Sequence, residues 1–337
     1  MPAHPAHHML HSPSRHPLFP RVLADIGGTN ARFAWQSSPH DPITDVIVLP
    51  CADYDSLQAA FRAYLERLGR DEPRAAAIAM ANPVTGDEVR MTNHHWAFSQ
   101  KAFAAEFGLQ VLRVLNDFTA LALALPTLPP SHLRQVGGRA AKVGAPIGLV
   151  GAGTGLGVSG LLPNGRGGWV PLEGEGGHVT LPAVTRRERL VMDGLIRRYS
   201  RASAERLLSG QGLLDACHLL CAADAADASA MRSAADVTRA ALDHAHPQAT
   251  EALNIFCAQL GSVAANLALT LGALGGVYIG GGIVPRLGAW FDQSPFRSRF
   301  EAKGRFESYL TNIPVWVITS EQSPALQGAA CALDGMD

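Results

Sequence analysis

The apolar run Val22–Ile26 closes on Asp-Ile-Gly-Gly, the pattern of a strand entering a glycine turn. Ala31–Trp35 resumes as a second apolar strand, so the two predict a β-hairpin. Leu57–Leu68 has helical spacing, and Ala75–Met80 is a further apolar strand. Phe98–Phe107 reads as a helix with Ser99 as its N-cap. Val111–Leu115 is a strand that delivers Asn116-Asp117, and Phe118–Leu125 follows as a helix stopped by Pro126. Pro126–Pro130 (PTLPP) is the best linker. Beyond it, Ile147–Val150 and Val158–Leu162 are strands around GAGTGLG, and Glu188–Arg201 is an Arg-rich amphipathic helix. Ala202–Gly335 is mainly helical, with strands near Val277–Ile279 and Val315–Ile318. Hairpins, parallel-type strands and helices together predict an α/β chain of two lobes, and 337 residues is about twice the usual single-domain length of roughly 150.

Ala252–Pro285 carries no charge, which raises the question of a membrane span. Polar Asn254, Gln259, Ser262, Asn266 and Thr270 and the later glycines instead predict a buried helix feeding a buried strand. Residues 1–20 hold five of the 13 histidines and five prolines but no acid, and read as a disordered tail without a secretory h-region. The five cysteines form no Cys-x-x-Cys pair; Cys217 and Cys221, four apart on a helix, read as buried apolar residues. That usage suits a reducing cytoplasm.

The net charge of −1 gives no electrostatic footprint for nucleic acid or an anionic membrane, and neither partner is expected. Only Lys101, Lys142 and Lys303 are lysines. None lies in Gly-Lys-Ser/Thr, which excludes a P-loop, and no Val-Ala-Ile-Lys strand or His-Arg-Asp loop of a protein kinase exists. Glycine is abundant, 34 residues, and part of it sits in three turns after apolar strands: Asp25–Asn30, Gly151–Gly155 and Gly280–Gly282. Such turns let a phosphate approach backbone N–H groups, although one alone is also an ordinary tight hairpin. Gly155–Gly160 fits G-x-G-x-x-G by letter, but Val158-Ser-Gly-Leu-Leu continues as strand where a dinucleotide fingerprint would open a helix.

LADIGGTNARFAW, VLNDFTALALALP, GLVGAGTGLGVSGLL, EGEGGHVTLP, SAERLLSG and GGVYIGGGIVPR occur in this order. Together with ANPVTG, MTNHHWAFS and KGRF, they make the chain resemble the bacterial glucokinase family from about Val22 to Ala332. The related ROK sugar kinases and repressors usually carry a Cys-rich zinc motif after Gly-His, whereas LPAVTRRERL follows His178 here, so the resemblance is to the zinc-free branch. It implies the two-lobed hexokinase/actin-like ATPase (ribonuclease H-like) fold, with the active site in the cleft between lobes. It divides the chain into the tail, a small α/β domain of residues 21–127 plus 320–337, and a large one of 128–319.

The resemblance also implies roles. Asp25 would hold Mg²⁺, mainly through water, as suits a cation that takes one or two carboxylates plus phosphate oxygens. Ile26, Gly27, Gly28, Thr29 and Asn30 would form the first phosphate turn, Gly153, Thr154 and Gly155 the second, and Gly281 and Gly282 would make room for the adenosine. Asn116 and Asp117 would bind the sugar, with Asp117 as general base toward its 6-hydroxyl. The plainer reading of Asn-Asp after a strand is a cap on the next helix. Glu175, His178 and Glu205 would bind sugar hydroxyls, Glu173 would face solvent, and His94 and His95 would be structural. ATP and glucose are the implied substrates, and a cytoplasmic homodimer the implied assembly. Alternatives are a kinase of mannose or fructose, a non-kinase actin-like ATPase and a ROK-like regulator.

Overall fold

The computed structural model describes residues 18–70, 72–92, 94–320 and 324–335. Most of the expected tail, residues 1–17, lies outside the described residues. Leu18 and Phe19, by contrast, are buried, and Phe19 sits under the Arg21 guanidinium at 4.3 Å, so the packed chain starts before residue 21. Contacts divide the chain into two compact units, one running to Asp117 and resuming at Ala329, the other Phe118–Gly328.

The first unit is built on β1 (Arg21–Ile26), β2 (Asn30–Gln36), β3 (Thr44–Pro50), α1 (Leu57–Leu68), β4 (Ala75–Met80), β5 (Glu88–Arg90), β6 (Ala97–Ser99), α2 (Gln100–Glu106) and β7 (Val111–Asn116). Its main sheet has the order β3-β2-β1-β4-β7. β1 and β2 form the expected antiparallel hairpin, while β4 and β7 join in parallel. All six residues of β4 (AAAIAM) are buried, as in a parallel strand covered on both faces. Phe33, Phe61, Tyr64, Ile78, Met80 and Phe103 form the core. Ser99 does cap α2, accepting the Ala102 N–H, but Phe98 pairs with Val89 in the β5–β6 ribbon and is not helical.

The second unit contains most of α3 (Asp117–Ala124), then β8 (Leu133–Gln135), β9 (Ile147–Ala152), β10 (Leu156–Pro163), β11 (Trp169–Pro171), α4 (Arg186–Tyr199), α5 (Ala204–Leu207), α6 (Gly210–Asp224), α7 (Ala234–Leu242) and α8 (Pro247–Leu271). β12 (Val277–Gly280), α9 (Trp290–Gln293), α10 (Phe296–Glu301), α11 (Glu307–Asn312) and β13 (Val315–Ile318) complete it, and α12 (Ala325–Asp334) runs through the second boundary. The sheet order is β11-β10-β9-β12-β13-β8. An antiparallel β9–β10 hairpin is followed by parallel β12 and β13, the arrangement of the first sheet repeated without a sequence repeat. β10 continues straight from its glycine turn, as the strand reading of the G-x-G-x-x-G stretch requires. α8 is long and apolar enough to cross a membrane, yet most of it is buried, and it leads to β12: a core helix feeding a strand.

The unit boundaries fall at 117/118 and 328/329, whereas the sequence suggests 127/128 and 319/320. The cause is packing. Phe118, Leu121, Leu123 and Leu125 join Ile147, Leu149, Leu161 and Ile318 in one apolar cluster, so the helix before PTLPP belongs to the second sheet. The chain end does return to the first unit, where Asp334 pairs with buried Arg21 at 2.7 Å.

α4 begins at Arg186 because Thr185 and Glu188 form a capping box. Buried Glu188 also pairs with Arg299 at 2.8 Å. Desolvation alone would raise its pKa, but the Arg299 hydrogen bond and the Val184 and Thr185 N–H groups outweigh it and hold the carboxyl below its ordinary value. A depressed carboxyl stabilises the fold above its unfolded-state pKa and loses that contribution as pH falls through the folded value. Glu188→Gln, which strands Arg299, is expected to cost roughly 3 kcal/mol at pH 7. The difference from wild type should shrink below about pH 4.3, as measured by urea unfolding across pH; a pH-independent difference would contradict the ion-pair origin.

Candidate functional site

In the first unit the carboxyl ends of three parallel strands come into one row. Asp25 lies opposite Ala79, Ile26 opposite Met80, and Met80 opposite Asn116. Ligands of open α/β sheets bind at such strand ends. The turn after β1 is closed by Gly27 N–H donating to the Asn30 carbonyl at 2.9 Å. Cys51 clamps it from the end of β3: its N–H donates to the Thr29 carbonyl at 2.8 Å and its thiol to the Gly27 carbonyl at 3.4 Å. Thr29 and Asn30 are exposed, and Gly27 and Gly28 half-buried. Ile26 is the exception in the expected phosphate set, since its side chain is fully buried in the core and leaves only backbone for a ligand. Asp25 is half-buried and paired with Arg32 at 2.9 Å, directly across the hairpin.

Asn116 ends β7, and its Nδ2 donates to the Asn82 carbonyl at 3.3 Å. Asn82 is itself buried; its Oδ1 accepts the Thr92 N–H at 2.8 Å and its Nδ2 donates to the Arg90 carbonyl. Asp117 is the first residue of α3, where the helix N-terminus favours a carboxylate.

In the second unit the other two turns lie side by side, because Gly151 and Gly280 pair at the carboxyl ends of parallel β9 and β12. A Cβ on Gly151 would meet the Gly280 backbone at 2.6 Å. Gly281 has φ +79°, and a Cβ there would lie 2.3 Å from the Ala152 carbonyl oxygen, so only glycine suits this turn. Gly153 N–H donates to the Gly155 carbonyl and Gly210 N–H to the Gly153 carbonyl, both at 2.9 Å, which ties the turn to α6. Thr154, Gly281 and Gly282 are exposed, and a Cβ on Gly282 would meet nothing within 4 Å. The turns therefore present backbone and a hydroxyl to open space.

Glu175 precedes and His178 ends a short 3₁₀ turn, Gly176–His178, packed on β10. A Cβ on Gly177 would fall 2.1 Å from the Leu156 carbonyl oxygen, so the glycines bring the turn onto the strand. Glu175 Oε2 and His178 Nε2 are 4.0 Å apart, and both side chains are exposed. Glu205 opens α5, whose cap Ser203 bridges to Thr180. Its Oε2 accepts the Leu156 N–H at 3.2 Å. Both faces of Leu156 thus gather the three expected sugar ligands beside the second phosphate turn.

Glu173 is exposed. His95 Nε2 bonds the Asp55 carbonyl at 3.1 Å, and the His94 ring packs on His95 and Trp96, a structural arrangement. Among the described residues, Cys217, Cys221 and His246 bring ligand atoms within 4.8 Å of one another. Yet His246 Nδ1 caps α8 through Ala249 N–H, its Nε2 bonds the Asp227 carbonyl, and burial pushes the Cys217 thiol up to about 12. Apolar packing accounts for these cysteines. Arg32, Cys51 and Asn82 support the site without having been singled out from sequence. The hairpin pattern could have found Arg32, which follows from the register; the other two depend on tertiary contacts.

The family model described as Glucokinase matches residues 22–336. A glucokinase of Aromatoleum aromaticum is 54% identical over 321 residues, covering 94% of this chain and 95% of the relative. The crystal structure of a glucokinase from an Antarctic psychrotroph superposes with TM-score 0.84 at 35% identity, covering 94% of this chain and 99% of that one. The glucokinase of Balamuthia mandrillaris in complex with glucose has TM-score 0.77 at 20% identity over 93% of this chain and 92% of its own, a likeness of fold. The family match spans every glycine turn, and the solved structures show the two-lobed actin-like ATPase fold. The chain belongs to the glucokinase family.

Proposed function

We propose that this chain is an ATP-dependent glucokinase that transfers the γ-phosphoryl group of ATP to the 6-hydroxyl of glucose. The observation that carries the reading is Asp117, a carboxylate at the start of α3 immediately after Asn116, in a chain of this family. In the step, the 6-oxygen forms a bond to Pγ as the bond from Pγ to the bridging oxygen breaks. The hydroxyl proton goes to the Asp117 carboxylate, and ADP leaves. Asn116, held by the Asn82 carbonyl, orients the sugar, and Glu175, His178 and Glu205 accept or exchange hydrogen bonds with its other hydroxyls. A site built to pair each hydroxyl rejects analogues that lack one.

No lysine occurs in the three turns, so Gly27–Asn30 and Gly153–Gly155 act through backbone N–H groups and threonine hydroxyls. Phosphoryl transfer is mostly positioning and electrostatics, which such groups supply. The open backbone at Gly282 supports adenosine binding there with Gly281. Asp25 carries the hard carboxylate oxygens that Mg²⁺ prefers, with Oδ2 paired to Arg32, at a turn suited to phosphate, and fits that ion. Mg²⁺ bound there would neutralise charge on the phosphates. A cytoplasmic location and a homodimer complete the proposal, supported by family likeness.

A coupled assay with ATP, Mg²⁺ and a hexose panel tests this reading. Glucose should give the highest kcat/KM; a higher value for mannose or fructose would reassign the substrate.

A further inference from the structure

We propose that Gly155, a residue of the phosphate turn, is a positioning residue for the sugar: its missing side chain forms the seat that holds the Glu205 carboxylate. This rests on the glucokinase reading and assigns Gly155 a task beyond the nucleotide. A Cβ on Gly155 would lie 2.4 Å from Glu205 Oε2 and 3.2 Å from its Cδ. The same Oε2 accepts the next N–H along, that of Leu156, at 3.2 Å. Turn and carboxylate interlock: the glycine supplies the space, and Leu156 supplies the hydrogen bond.

Gly155 does not owe its identity to backbone strain, because its φ lies outside the left-handed region. Nor does the turn depend on Glu205 for its shape, since the Gly153 N–H and Gly210 N–H bonds already close and anchor it. Glu205, in contrast, has little latitude at its root. Ser203 caps its helix, Ala204 and Leu207 are fully buried on either side, and the Arg206 guanidinium lies over the Tyr199 ring at 4.2 Å. A methyl group at residue 155 would therefore move the far end of one flexible side chain, which costs the fold little, and would unseat the carboxylate from Leu156.

Gly155→Ala should raise the KM for glucose about 10- to 100-fold, the range for losing a hydrogen-bonded charge. KM for ATP should change much less, and the melting temperature should stay within a few degrees of wild type. The deciding measurement is a double-mutant cycle with Glu205→Ala, read as glucose affinity by titration calorimetry without nucleotide. Once the carboxylate is gone, Gly155→Ala should add nothing, so the double variant should match Glu205→Ala. Additive losses, or a Gly155→Ala variant that loses ATP affinity with glucose affinity intact, would overturn the proposal. A wild-type protein that binds no glucose would instead overturn the glucokinase reading itself.

Discussion

Asp117→Asn is expected to lower kcat about 1,000-fold, within the range for removal of a general base, with KM for glucose changed far less. The amide keeps the shape of the carboxylate and its place at the start of α3, so the helix and the sugar site survive. It cannot take the proton that the 6-hydroxyl loses as its oxygen bonds to phosphorus. Binding and chemistry should therefore separate: calorimetric glucose affinity near wild type, with turnover nearly absent. Residual activity within about tenfold of wild type would mean that Asp117 only orients the sugar, as a loose transition state permits.

The second large effect is expected at Gly157. A Cβ there would lie 2.2 to 2.3 Å from three ring atoms of Phe118. Phe118 follows Asp117 directly and packs in the cluster that fixes α3 to the second sheet. The same ring also lies over Gly151, the residue paired with Gly157 on β9, where a Cβ would be 2.8 Å from Cζ. Gly157→Ala should cost about 1–3 kcal/mol from overpacking. It should also lower kcat by up to about 100-fold, the cost of an ångström-scale misplacement of a catalytic group. Thermal unfolding and steady-state kinetics on one preparation check both effects. Unchanged stability and unchanged kcat together would show that the Phe118 contact does not position Asp117.

The glycine that imitates a dinucleotide fingerprint thus has a packing role. Its strand context was legible, because Val158 and then Leu161 and Leu162 continue an apolar strand pattern beyond it, within β10. The β1–β2 hairpin was equally legible, since a glycine turn punctuates it, and the strand leading to Asn116 was marked by the polar Asn-Asp that ends it. β3 was not legible. Its residues alternate between exposed and half-buried as far as Val48 before buried Leu49, and its role comes from pairing with β2 at the sheet edge. The boundary expected near PTLPP differs from the unit boundary at 117/118 for a related reason: which sheet the helix before Pro126 joins depends on Ile147, Leu149, Leu161 and Ile318 far along the chain.

At the site, the sequence offers candidate residues but not their mutual supports. Glu205 and Leu156 are 49 positions apart, and only the packing of α5 beside β10 joins them. The clamp of Cys51 on the first turn likewise spans 24 positions. Local patterns report where a turn or a carboxylate occurs, whereas hydrogen bonds between distant segments depend on the finished fold.

The most direct measurement is product identification after purified protein is mixed with glucose, ATP and Mg²⁺. Phosphorus and carbon NMR should show stoichiometric ADP and a phosphate ester on carbon 6 of glucose. No phosphorylated sugar from glucose or any other hexose, or an ester at another carbon, would contradict phosphoryl transfer to the 6-hydroxyl of glucose.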